Sequence, residues 1–246
     1  MGPPATFAPP RRLWRGLVAV LTLAALTGCE LSTASAPTVP TSAAPTSDVG
    51  RAAQNFIDVV ERVEPVAERV CRQQTSGINC DFRIAVDDRA GVPPNAFQTL
   101  DNRDRPIIIF TLPLIADARN ADELAFILGH EAAHHIRGHI PRSEVNAQLG
   151  ALVLAGLAQA AGQSIEAVNE AARVGATVGA RSFAKEFELE ADALGTRIAF
   201  DAGYDPVRGS QFFARIPDPG DRFLGTHPPN DERQALVRRT AATLTR

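Results

Sequence analysis

Residues 130–134 of the 246-residue chain read His-Glu-Ala-Ala-His. Each helical residue turns about 100°, so His130 and His134 would share one face, a turn apart, and both imidazoles could reach one zinc ion. Glu131 sits beside that pair, in reach of a water at the metal. With five histidines in the whole chain, about 0.005 such motifs are expected by chance. Nor are the histidines scattered: four fall within 130–139 and the fifth is His227. A catalytic zinc needs a third protein ligand and one open position. The best source is the stretch Phe183 to Asp192. There Phe183, Phe187, Ala191, Leu194 and Ile198 form an apolar stripe at helical spacing, while Glu188 and Asp192 stand four apart on a neighbouring line. Glu186 and Glu190, two residues from Glu188, belong to roughly the opposite side.

The motif needs a helix to carry it. Asn120 with Glu123 three residues on resembles a capping box, and Leu124, Ile127 and Leu128 supply an apolar face, so one helix is expected from Asn120 to His139. His135 and His139 then lie on a face turned about 100° from the zinc pair and read as structural. The extended metzincin spacing is missing, because Arg137 and Ile140 stand where its glycine and third histidine would be. Three consecutive isoleucines within Asp104 to Thr111 predict a strand. It is either an edge offered to an extended substrate or an interior strand. Residues 149–162, LGALVLAGLAQAAG, are too short to span a membrane. They read as a buried helix, with a mobile lid over the cleft as the alternative.

Residues 1–28 have the form of a removable leader, with Arg11, Arg12 and Arg15 before an apolar run, Leu17 to Leu26. Leu26-Thr27-Gly28-Cys29 resembles the lipobox of bacterial lipoproteins, which makes Cys29 the expected acylated N-terminus and a membrane surface a partner through lipid. Residues 29–50 are then the lipidated cysteine and a Ser/Thr/Ala/Pro-rich flexible tether, and 51–246 the folding domain. Loss of the leader takes the net charge from -3 to about -6, which argues against nucleic acid as a partner. Cys71 ends an amphipathic segment (Phe56, Val59, Val60, Val63, Val66, Val70), and Cys80 precedes the alternating run Phe82 to Val86. In an exported domain they can bridge and staple the first helix to the first strand; two free buried thiols are the alternative.

Taken together, HEAAH at 130–134, Glu188-Leu-Glu-Ala-Asp192 and Thr226-His227-Pro228 resemble the zinc metallopeptidases related to the CaaX prenyl protease and the heat-shock protease HtpX. The soluble periplasmic branch is the most similar. Pro94-Asn95-Ala96-Phe97, Ile107 to Phe110 and Gly203-Tyr-Asp-Pro206 extend the resemblance over about residues 55 to 240. It implies an α+β, zincin-like fold, mainly helical with a small β-sheet beside the active-site helix. It also implies one Zn2+ held by His130, His134 and Glu188, Glu131 as catalytic base, and Asp192 supporting the metal-site histidines. A histidine in such a turn lies at the metal site, so His227 is expected as a gate or a transition-state donor. Ala184-Lys185 stand where Ser-Arg is usual, which puts a nearby salt bridge in doubt. The implied activity is a metalloendopeptidase on the periplasmic side of the envelope, cutting unfolded or misassembled envelope polypeptides. The rival readings are a zinc-stabilised chaperone or assembly factor with little proteolysis, and a lipoprotein interaction module with a vestigial metal site.

Overall fold

In the computed structural model the described residues are 48–218, 220 and 225–245. The leader, Cys29 and residues 30–47 of the tether lie outside them. Helix α1 (Asp48–Gln74) begins three residues inside the stretch read as tether. It buries Val59, Val63, Val66, Ala67 and Val70 along one side, the three-to-four residue spacing that makes a helix amphipathic. Its last buried residue, Cys71, is bridged to Cys80 across a Cα separation of 5.7 Å. The bridge ties α1 to the chain that enters β1 (Arg83–Asp87), as the compartment argument anticipated.

Strands β2 (Ala96–Leu100) and β3 (Pro106–Thr111) complete a three-stranded sheet of order β1-β3-β2. Strand β1 runs parallel to β3 with Ile84 opposite Ile108, and β2 runs antiparallel with Phe97 opposite Ile109. The isoleucine-rich strand is therefore the middle one, not an edge, and the edges of the sheet are β1 and β2. Burial explains the order: Ile108 and Phe110 are almost wholly enclosed, and a strand flanked on both sides has no exposed backbone edge.

A short helix α2 (Leu112–Asp117) leads into α3 (Ala121–Ile136). Asn120 caps α3 by accepting the Glu123 N–H. The reciprocal half of the box is displaced by one residue, since the Glu123 carboxylate accepts the Arg119 N–H at 2.9 Å. Helix α3 is buried on nearly every side, with Leu124, Phe126, Leu128, Ala132 and Ala133 all enclosed, as befits a helix at the centre of a core. It ends at Ile136, earlier than the sequence pattern suggested, because Gly138 takes a left-handed turn with φ 64°. His139 then opens a new helix, α4 (His139–Ala160).

Helices α4 and α5 (Ile165–Arg181) form an antiparallel pair whose backbones meet at Gly150 and Gly175, where a methyl group on either would strike the other's carbonyl. The buried-helix reading of 149–162 fails here. Leu149, Leu152, Val153 and Leu157 are all more than half exposed, because the pair packs through small residues and leaves its larger ones outside. No helix among the described residues is long and apolar enough to cross a membrane. Helix α6 (Ala184–Asp201) returns to the core and packs on α3; α7 (Pro206–Gly209), a 3-10 turn (Ser210–Ala214) and α8 (Asn230–Ala242) close the far side. The result is α+β, mainly helical with a small sheet, as expected.

Candidate metal centre and cleft

Helix α3 delivers His130 and His134 from one face, and α6 delivers Glu188 and Asp192 from the face that packs against it. The two helices touch at Gly129 and Gly195. A Cβ on Gly195 would lie 2.7 Å from the His130 backbone nitrogen, so the absence of a side chain there sets how near Glu188 comes to the histidines. The three donors converge. His130 Nε2 is 3.1 Å from His134 Nε2 and 3.5 Å from a Glu188 oxygen, and His134 Nε2 is 3.4 Å from the other Glu188 oxygen. A tetrahedral ion with bonds of 2.0–2.1 Å spaces its ligands about 3.3 Å apart. Two imidazole nitrogens and a carboxylate at these separations fit zinc and leave the fourth corner open. Among the described residues these three are the cluster able to hold a metal.

Each histidine is held from behind. His130 Nδ1 lies 2.9 Å from Asp192 Oδ1. Asp192, fully buried, takes both its remaining contacts from Arg233 of α8, at 2.7 Å to each oxygen. Arg233 also lies 3.3 Å from Glu188 and places its guanidinium 3.8 Å above the Phe213 ring. Arg233 is therefore the cation of this cluster. Sequence reasoning missed it: in Asn230-Asp-Glu-Arg233 it reads as one charge on a solvated helix, and the only pointer was that a buried Asp192 requires a cation. His134 is backed by His139, with 2.8 Å between their Nδ1 atoms. His139 had been grouped with His135 on a face away from the metal; the turn at Gly138 re-aims it. His135 does keep a structural place, with Nε2 2.7 Å from the Asn79 carbonyl and its ring edge-on to Phe82.

His227, half exposed, stands in its turn with Nδ1 3.0 Å from Glu188 Oε2. It thus lies at the cluster, while Asn230, the first residue of α8, donates its side-chain amide to the Ile216 carbonyl. Glu131 lies between the cluster and β2, and the Gln98 N–H on the open edge of that strand hydrogen-bonds its carboxyl. Beside Glu131 a cleft of about 360 Å³ opens between Leu114, Phe126, Ile127, Phe212, Phe213 and Ile216.

The electrostatics favour a cation. Burial alone would raise Glu188, but the imidazoles of His130, His134 and His227 around it hold it well below the usual carboxylate range. Asp192 is likewise lowered against its burial, by Arg233 and His130. Burial works against charge on His130, yet its bonds to Asp192 and Glu188 carry that imidazole up to about 10. A site that holds a proton so firmly has negative charge to spare for a metal ion at the same nitrogen. Glu131 goes the other way: burial lifts its carboxyl above the ordinary value, against the pull of His130 and His134. Burial likewise pushes His139 down to about 4, which leaves it neutral at pH 7.

Comparison with known proteins agrees with this geometry. The model of peptidase family M48 matches residues 54–241. A putative beta-barrel assembly-enhancing protease of Vibrio cholerae serotype O1 is 33% identical over 126 residues, 47% of this chain and 25% of that protein. The beta-barrel assembly-enhancing protease of Escherichia coli K12 is 28% identical over 135 residues, 50% of this chain and 28% of its own length. The match thus spans only about a quarter of those relatives.

Proposed function

Because the chain belongs to peptidase family M48 and is a metallopeptidase, we propose that it is a zinc endopeptidase whose ligands are His130, His134 and Glu188 and whose base is Glu131. The observation that carries this reading is the convergence of both Nε2 atoms and the Glu188 carboxylate, each imidazole 3.4–3.5 Å from one of its oxygens, with Glu131 alongside. Held there, zinc supplies Lewis acidity to a scissile carbonyl and makes water easier to deprotonate. Glu131 takes the proton of the attacking water and returns it to the leaving amine, a task suited by a carboxyl whose pKa is raised. Asp192 and Arg233 keep His130 aligned. The substrate lies extended along the open edge of β2, its backbone pairing as an added strand, with an apolar side chain in the cleft of Phe126, Phe212 and Phe213.

The wider setting belongs to the same proposal. Cys29 is lipidated after removal of residues 1–28, residues 30–47 tether the domain, and the protein faces the periplasm. The Cys71–Cys80 bridge supports an oxidising compartment. The relatives' role in beta-barrel assembly, carried in their names, supports misassembled or unfolded envelope proteins as substrates. His227, in contact with Glu188, gates the open corner of the site.

The test is metal content by elemental analysis, together with cleavage of unfolded casein by the full chain in wild-type, Glu131→Gln and His227→Ala forms. The reading expects one zinc per chain, cleavage abolished by Glu131→Gln without loss of zinc, and cleavage raised by His227→Ala. Bound zinc with no cleavage in any form would replace it with a chaperone role, and folded protein that takes up no zinc would end it.

A further inference from the structure

The two metal-site imidazoles are supported by different chemistry. Behind His130 stands a carboxylate; behind His134 stands another imidazole, and the chain of contacts continues. His139 Nδ1 meets His134 Nδ1 at 2.8 Å, and His139 Nε2 lies 3.1 Å from Glu190 Oε2. Glu190 is in turn gripped by both terminal nitrogens of Arg142, at 2.7 and 3.2 Å. The ring of His139 is 4% exposed and stacks flat on Phe187 with centroids 4.5 Å apart, so it is not free to turn.

Proton bookkeeping fixes the direction of every link. Only one of two facing imidazole nitrogens can carry the shared hydrogen. If His139 Nδ1 carried it, the neutral His134 would keep its own hydrogen on Nε2, the atom that must be bare to bind a metal. The bare Nε2 of His139 would then face the Glu190 carboxylate, acceptor against acceptor. With the hydrogen on His134 Nδ1, every link of this chain has one donor and one acceptor: His134 donates to His139, His139 donates through Nε2–H to Glu190, and Arg142 donates to Glu190; the bare Nε2 of His134 then faces Glu188 across 3.4 Å, where a cation would sit between them. We propose that His139, Glu190 and Arg142 form a tautomer lock, positioning residues that keep the lone pair of His134 Nε2 aimed at the metal. This rests on His134 being a metal ligand, but its first consequence is legible without metal.

The experiment is nitrogen-15 NMR of the histidine side chains in the metal-free full chain, followed by zinc titration against a competing chelator. Wild-type protein should show His134 as the Nδ1–H tautomer and His139 as the Nε2–H tautomer. Glu190→Gln, at a partly exposed position, lets an amide N–H face His139, so mixed tautomers should appear at both histidines. Zinc affinity should fall about 10- to 100-fold in Glu190→Gln and in His139→Phe. His139→Asn, which retains an acceptor near the Nδ1 position, should restore most of that loss. A wild-type His134 protonated on Nε2, or variants with unchanged tautomers and unchanged zinc affinity, would overturn the lock. Correct tautomers in a protein that takes up no zinc would instead sink the metal assignment and leave the hydrogen-bond chain standing.

Discussion

Gly195 stands where α6 presses on the backbone of His130, and replacing it with alanine should disturb the metal centre without touching any proposed ligand. The added methyl would sit 2.7 Å from the His130 nitrogen, 2.8 Å from its Cα and 3.0 Å from the Gly129 carbonyl carbon. Carbon contacts become ordinary at about 3.4 Å, so the helices must part by about 0.7 Å. The obstructing atoms are all backbone, which cannot swing aside. Overpacking of this kind costs about 1–3 kcal/mol, and alanine's better helix propensity returns somewhat less than 1 kcal/mol. A net loss of about 1–2 kcal/mol lowers the melting temperature by about 2–8 °C in a domain of this size. The larger effect falls on the metal. Glu188 and Asp192 lie on the same helix within two turns of Gly195, so a 0.7 Å separation exceeds the roughly 0.2 Å tolerance of metal–ligand distances. Zinc affinity measured by chelator competition should drop about 10- to 100-fold. Gly156→Ala, whose methyl would meet nothing within 4 Å, is the control and should leave zinc affinity unchanged. If Gly195→Ala bound zinc and melted like the wild type, the claim that the glycine contact sets the ligand geometry would be wrong.

Arg233→Met strands the fully buried Asp192 without its cation and should cost about 3–5 kcal/mol in chemical denaturation; Arg233→Met with Asp192→Asn should recover part of it, and equal stabilities for the two would contradict the pairing. Replacing Cys71 and Cys80 by alanine opens a short loop and should cost about 2–3 kcal/mol by the chain-entropy relation, read as a lower urea midpoint under non-reducing conditions. Asp101 accepts the N–H groups of Arg103 and Arg105 in the β2–β3 turn, and these bonds, Arg105 first, hold its carboxyl below the usual value. Its folded pKa is thus lower than its unfolded one of about 3.9, so its contribution is complete above about pH 4 and fades as pH falls through the folded value. Asp101→Asn should flatten the acid limb of a melting-temperature profile below about pH 4, and an unaltered limb would remove Asp101 from the account.

Local patterns were readable where one element decides the outcome. The Asn120 cap, the i,i+4 histidines, the valine stripe of α1 and the Cys71–Cys80 pair all follow from helical period and proximity along the chain. What escaped depends on contacts between distant segments. Helical arithmetic put Glu190 on the side of α6 away from Glu188, correctly, but gave no sign that the far side of His134 would be waiting there. A single left-handed residue, Gly138, split one apparent helix into two and turned His139 from bystander to neighbour. The isoleucine run announced a strand but not its middle place, because order in a sheet is set by partners. The apolar run at 149–162 misled for a related reason: its glycines let two backbones meet, and that close approach leaves the leucines outside.

Arg233 reaches Asp192 across 41 residues and His130 across 103. During synthesis the chain grows from its N-terminus, so His130, His134, Glu188 and Asp192 all exist before the arginine that neutralises their shared acidic side. Up to that moment Asp192 is a carboxylate bound for the interior with no counter-ion, and the α3–α6 contact must bury it at a penalty. The ligand cradle can therefore tighten only as α8 arrives. A peptidase would run its greatest risk of cutting other polypeptides while its own chain is still emerging, and a part delivered late postpones competence until the rest of the domain has been made.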